Sequence, residues 1–118
     1  MSTAAINAPA ASLPEGKYVR TGFELDLADG HYLMRSFISY GMQTLEEGVY
    51  TLTGGKINFL DSTTSQAVLS SCGNSSAYSY RWSFDPFVGV FNLTPLQDTC
   101  QARQSDMTRA PLVIKPIG

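Results

Sequence analysis

Charge is scarce in this 118-residue chain: Asp, Glu, Lys and Arg make up 15% of it, against roughly 25% in ordinary soluble domains. Ser, Thr, Asn, Gln and Gly must therefore supply much of the surface. Eight Lys+Arg against ten Asp+Glu leave a net charge of −2. No basic stripe forms, which argues against a nucleic-acid partner. Histidine occurs once, as His31, and cysteine twice, as Cys72 and Cys100. One chain therefore cannot assemble a His/Cys zinc cage, and we expect neither a metal nor a cofactor. No apolar run approaches the ~18 residues of a membrane-spanning helix, so no membrane partner is expected. The phosphate-binding loop, the dinucleotide fingerprint, the G-x-S-x-G nucleophile elbow and the H-E-x-x-H zinc motif are all missing.

What remains is apolar, aromatic and punctuated by turns. Apolar residues make up 43% of the chain, enough to bury one domain's core but with no length for two. Residues 1–12 (MSTAAINAPAAS) are small, uncharged and without periodicity. They read as a flexible arm, or as a segment folded over a barrel mouth or a partner subunit. They lack the basic and apolar regions of a signal peptide, which sets a cytoplasmic expectation. Residues 13–118 form the domain. Short apolar runs alternate with turn dipeptides, the pattern of an all-β protein. The spacing predicts strands over Lys17–Leu27, His31–Ser39, Gly48–Thr53, Lys56–Leu60, Ala77–Phe84 and Gly89–Pro95. A short strand over Ala67–Ser71 and a last one over Ala110–Ile117 are also expected. Pro111 and Pro116 confine that last strand to an edge or closing position. Gly41–Glu47 reads as loop, and Gln97–Met107 holds one helical turn at most. Seven or eight antiparallel strands can close into a single up-and-down β-barrel, whose interior just holds side chains or one small ligand.

Alternation assigns the faces. A Gly54-Gly55 turn pairs Leu52 with Ile57 and Tyr50 with Phe59 on one apolar face. Val49, Thr51, Thr53, Lys56, Asn58 and Leu60 take the other. Tyr78, Tyr80, Trp82 and Phe84 share a face, and a four-residue Asp85–Val88 loop sets Trp82 opposite Phe91 and Tyr80 opposite Leu93. These rings either pack as core or line a pocket, since buried Tyr and Trp need hydrogen-bond partners that a ligand can supply. The first hairpin is discordant. With Ala28-Asp29-Gly30 as its loop, Phe23 faces Arg35 and Leu27 faces His31, while Glu24 and Asp26 share the other face with Tyr32 and Met34. Either His31 and Arg35 point inward, or Glu24 and Asp26 do, or a β-bulge shifts the phase.

Chemistry-bearing residues are few. His31 is the one side chain of a type suited to proton transfer near neutral pH, though a histidine just after a turn glycine is commonly exposed. Glu24 and Asp26 could do acid/base work if one were desolvated, or form a solvated strand face. Cys72 and Cys100 flank the aromatic hairpin almost symmetrically. A bridge, two free thiols and a catalytic thiol based on His31 all stay open, although the cytoplasmic expectation disfavours a bridge. Asp98 and Arg103 bracket Cys100, and either pair to fix the loop or let Arg103 reach across a barrel end.

Several of these segments resemble small bacterial lipocalin-like (calycin-like) domains. The resemblance rests on Gly16-Lys17-Tyr18, on Gly48-Val49-Tyr50-Thr51-Leu52-Thr53-Gly54-Gly55-Lys56-Ile57-Asn58-Phe59, and on Tyr78-Ser79-Tyr80-Arg81-Trp82. The run Leu93-Thr94-Pro95-Leu96-Gln97-Asp98-Thr99-Cys100-Gln101-Ala102-Arg103 completes it. The resemblance spans roughly residues 13–103 and implies a barrel that binds a small molecule in its lumen. Some such barrels are cofactor-free cyclases or isomerases of natural-product pathways.

Three functions are expected from this reading. The first is a binding module for a small hydrophobic or aromatic molecule, lined by Tyr50, Phe59, Tyr78, Tyr80, Trp82, Phe91 and Arg35. The second is a cyclase or isomerase using the same lumen, with Glu24, His31 or Asp26 as its acid/base group. The third is an interaction protein with a filled barrel and an exposed docking patch. A homodimer is compatible with a chain this short.

Overall fold

A computed structural model describes residues 13–38, 41–64 and 77–115. Among them run eight strands: β1 (Gly16–Arg20), β2 (Phe23–Ala28), β3 (His31–Ile38), β4 (Gly41–Thr53), β5 (Lys56–Thr64), β6 (Ala77–Asp85), β7 (Val90–Gln97) and β8 (Leu112–Lys115). Among the described residues one helix, α1 (Gln101–Thr108), joins β7 to β8. Each strand pairs antiparallel with its sequence neighbour, and β8 pairs with β1, so the sheet closes as an up-and-down barrel. Closure removes the exposed sheet edge. The proline-bounded β8 is the closing strand.

The turns carry the register. Gly54-Gly55 sets Leu52 opposite Ile57 and Tyr50 opposite Phe59, as the sequence pattern requires. The first hairpin corrects the reading above. Its turn is the two-residue Asp29-Gly30, with φ of 54° and 76°. Positive φ at both central residues is what a tight twisted hairpin needs. The register therefore moves by one residue: Leu27 faces Tyr32, Leu25 faces Met34, and Glu24 faces Arg35. All three discordant alternatives dissolve. Phe23, Leu25, Leu27, Tyr32 and Met34 are buried, while Glu24, Asp26, His31 and Arg35 share the outer wall. Bulges occur elsewhere, in the β3–β4, β4–β5 and β6–β7 pairings.

Four further corrections follow from the same pairing rules. Lys17–Leu27 is two strands, because Thr21-Gly22, with Gly22 at φ 85°, turns the chain back between β1 and β2. Gly41–Glu47 is not loop but the first half of β4. The β6–β7 turn is Pro86–Gly89, one residue later than expected, so Trp82 faces Leu93 and Tyr80 faces Pro95. Here the Asp85 carboxylate accepts the Phe87 N–H at 2.9 Å, and Gly89 takes φ 71°. Lastly, Gln97–Met107 holds more than one helical turn. In α1, Arg103 and Met107, four positions apart, are buried on one face, so tertiary contact makes the helix rather than propensity. The arm at 1–12 and the short strand at 67–71 lie outside the described residues.

The antiparallel order sorts the connections to two ends. The β2–β3, β4–β5 and β6–β7 turns ring one end. The β1–β2 turn and α1 lie at the other, where Arg20 on β1 donates to the Asp106 carbonyl at 2.8 Å.

Candidate functional site

Inside the barrel the aromatic face of β6 divides into two parts. Tyr78 and Tyr80 are buried, and Trp82 and Phe84 are half-buried. The buried part ends on charge. Glu46 on β4, Asp98 after β7 and Arg103 on α1 have side chains 0–1% exposed. Arg103 Nη1 donates to Glu46 Oε1 at 3.0 Å. Its Nε and Nη2 form a two-pronged clamp on the Asp98 carboxylate at 2.9 and 2.7 Å. The guanidinium also lies over the Tyr78 ring, 3.5 Å from its centroid, a cation–π contact.

The tyrosine hydroxyls complete this network. Tyr32 and Tyr78 both donate to Glu46 Oε2, and their two hydroxyl oxygens lie 3.2 Å apart. Tyr80 donates to Asp98 Oδ2 at 2.6 Å, and the Cys100 N–H donates to Asp98 Oδ1 at 2.9 Å. Burial pushes the Asp98 carboxyl up, but the hydrogen bonds from Arg103, Tyr80 and Cys100 outweigh it and hold it below the usual range. Burial and then the neighbouring carboxylates raise the Tyr78 and Tyr80 phenols, so both are donors at neutral pH. Burial lowers Arg103, yet Asp98 and then Glu46 more than restore it. Charges removed from water persist only when paired and hydrogen-bonded, and these are. The network and α1 together seal this end of the barrel.

The turn end is different. Tyr50 and Leu52 on β4, Trp82 and Phe84 on β6 and Ile114 on β8 are half-buried and pack against the core. They lie on inward positions of their strands, alternating with exposed residues such as Thr51, Arg81 and Val113. Deeper in, Phe91 packs on Tyr18 with centroids 4.5 Å apart and lies 6.4 Å from Trp82. Phe59 stacks on Tyr78 at 5.0 Å. Trp82 Nε1 is buried with no hydrogen-bond partner among the described residues.

The structure thus brings Tyr50, Phe59, Tyr78, Tyr80, Trp82 and Phe91 to the interior. It does not bring Arg35, Glu24, Asp26 or His31 there. Arg35 bonds Glu24 through Nη2 on the outer wall and lies 3.4 Å from Asp26 Oδ2. Burial raises Glu24, but hydrogen bonds from Asp26 and Arg35 reverse this and lower it; burial and then Glu24 raise Asp26 to about 6. His31 is exposed, and with Asp26 it lines a groove of about 490 Å³ on that wall. Among the described residues the charged groups that do face inward are Glu46, Asp98 and Arg103. Of these, the sequence signalled only the Asp98–Arg103 pairing and the reach of Arg103 across a barrel end. Both alternatives hold together, because one guanidinium serves two carboxylates.

Cys100 is buried and disulfide-bonded. The chain's other cysteine, Cys72, lies outside the described residues. Among the described residues, no group of three His, Cys, Asp or Glu side chains is placed to hold a metal ion, and no helix is long and apolar enough to cross a membrane. In comparisons with known proteins, no family model matches the chain, and neither does any curated protein or solved structure.

Proposed function

We propose that this barrel binds a small hydrophobic or aromatic molecule through its turn end. One observation carries the reading. Inward-facing apolar and aromatic side chains, Tyr50, Leu52, Trp82 and Phe84, keep part of their surface exposed at that end, while the buried Glu46, Asp98 and Arg103 ion network occupies the other. Inward positions of a closed barrel are ordinarily covered, and concave apolar surface with a few polar handles is the usual setting of a small-ligand site. The lipocalin-like resemblance of the sequence supports the same reading. Glu24 and Asp26 stand on the outer wall, away from the lumen, which supports binding rather than a cyclase or isomerase.

Native mass spectrometry of the full chain with 2-nonanone added tests the proposal. A one-to-one adduct that disappears on denaturation is the expected result. A bare chain at saturating ketone overturns it.

A further inference from the structure

Among the described residues the buried tyrosines of the barrel interior are engaged, and the partly buried Trp82 is not. The Tyr32 and Tyr78 hydroxyls donate to Glu46, Tyr80 to Asp98, and Tyr18 to the Pro14 carbonyl. The Trp82 indole N–H has no acceptor among the described residues although its nitrogen is covered. A buried donor left without a partner is destabilising, and such groups are rare in folded proteins. A packed core filled for stability would place Phe here, as it does at position 91. Trp82 also sits at the turn end, where its ring is partly buried and packs against the core.

Resting on the binding reading above, we propose that the ligand carries a neutral hydrogen-bond acceptor, a carbonyl or ether oxygen, that the Trp82 indole N–H reads at the barrel mouth. Indole is a donor only, so the matching group must accept. A pure hydrocarbon leaves the N–H unpaired, and an ammonium group presents the wrong polarity. Neutral acceptors are preferred to carboxylates. Tyr50 lies at the same end, where its N–H donates to the Gly30 carbonyl at 2.9 Å and the adjoining Asp29 N–H donates to the Glu15 carboxylate; burial and the Glu15 and Asp29 carboxylates beside it disfavour a further anion there, as they do the Tyr50 phenolate. Because Nε1 is covered, contact requires the half-buried indole to turn, and as the chain's one tryptophan it reports that movement itself.

The test compares 2-nonanone with 2-methyl-1-nonene, which replaces the carbonyl oxygen by a methylene of similar shape. Calorimetric titration of the full chain is expected to show the ketone binding about tenfold tighter, the worth of one hydrogen bond to an otherwise unpaired donor. In Trp82→Phe the ratio is expected to fall to about one while the alkene keeps its affinity. The second readout needs no variant: the indole N–H resonance of the wild-type chain shifts with the ketone and not with the alkene. Equal wild-type affinities, a ratio that survives Trp82→Phe, or an indole resonance indifferent to the ketone overturns the acceptor proposal and leaves barrel binding standing. Failure of both compounds to bind overturns the binding reading and this inference with it.

Discussion

Replacing Arg103 by Met tests whether the sealed end of the barrel depends on its buried charges. Met keeps much of the side-chain volume and removes the guanidinium. The loss can be worked from the contacts. Arg103 holds Glu46 at 3.0 Å and Asp98 at 2.9 and 2.7 Å, with all three side chains 0–1% exposed. Its removal leaves two carboxylates in a water-poor interior, and breaking a buried pair by deleting one partner costs about 3–5 kcal/mol. A domain of this size is stable by roughly 5–15 kcal/mol, so the variant should fold with a much reduced margin. In urea, at a slope of about 1.5 kcal/mol/M, the midpoint should fall by about 2–3 M. Adding Glu46→Gln should recover part of the loss, because the uncompensated charge at Glu46 is then gone while the Tyr32 and Tyr78 hydroxyls keep an acceptor. Far-ultraviolet circular dichroism against urea measures both variants. A loss below about 1 kcal/mol, the range of solvent-exposed ion pairs, would refute the reasoning, and so would a double variant less stable than the single one.

Three other outcomes follow. Asp26, raised to about 6, keeps a proton in the folded chain that the unfolded chain releases near pH 4, so its contribution to stability is lost as pH rises through that window; the melting-temperature difference should shift in favour of Asp26→Asn between pH 4 and 7, and a difference constant with pH contradicts this. Reducing the disulfide at Cys100 should destabilise the chain by about 3–4 kcal/mol on the chain-entropy estimate for a closed loop of this length, and a denatured mass two hydrogens below the reduced value checks that the bridge exists in freshly isolated protein. That mass also decides between the cytoplasmic expectation and an oxidising compartment, where bridges persist. Gly89→Ala should cost about 1–2 kcal/mol because φ is +71° and the new methyl would lie 3.0 Å from Ile114; an unchanged urea midpoint contradicts it.

The parts of the fold that could be read in advance were those written in short-range chemistry. Gly54-Gly55 between alternating runs fixed the β4–β5 register, and the Tyr78–Phe84 alternation marked an inward face. Asp29-Gly30 was visible too, but including Ala28 in the turn moved every partner by one and set charges against apolar groups. The first half of β4 was hidden because a bulge interrupts it: Met34 pairs with Glu46 and Arg35 with Thr44, so Leu45 is extra and both Leu45 and Glu46 are buried. No period-2 pattern survives such an insertion. Helix α1 was hidden because the side chain at the centre of its buried face is Arg103, whose burial depends on Glu46, more than 50 residues away in sequence. The candidate site was legible as aromatic residues but not as a sealed end and an open end, since that distinction arises only when the sheet closes.

The central claim is that a small apolar ligand enters at the turn end. Its most direct test is a ¹⁵N–¹H correlation spectrum of the full chain titrated with 2-nonanone. The account predicts saturable shifts concentrated at Tyr50, Leu52, Trp82 and Phe84, with the Glu46, Asp98 and Arg103 amides nearly unmoved. Shifts gathered instead around Asp26, His31 and Val49 on the outer wall, or no saturable shift at all, would contradict it.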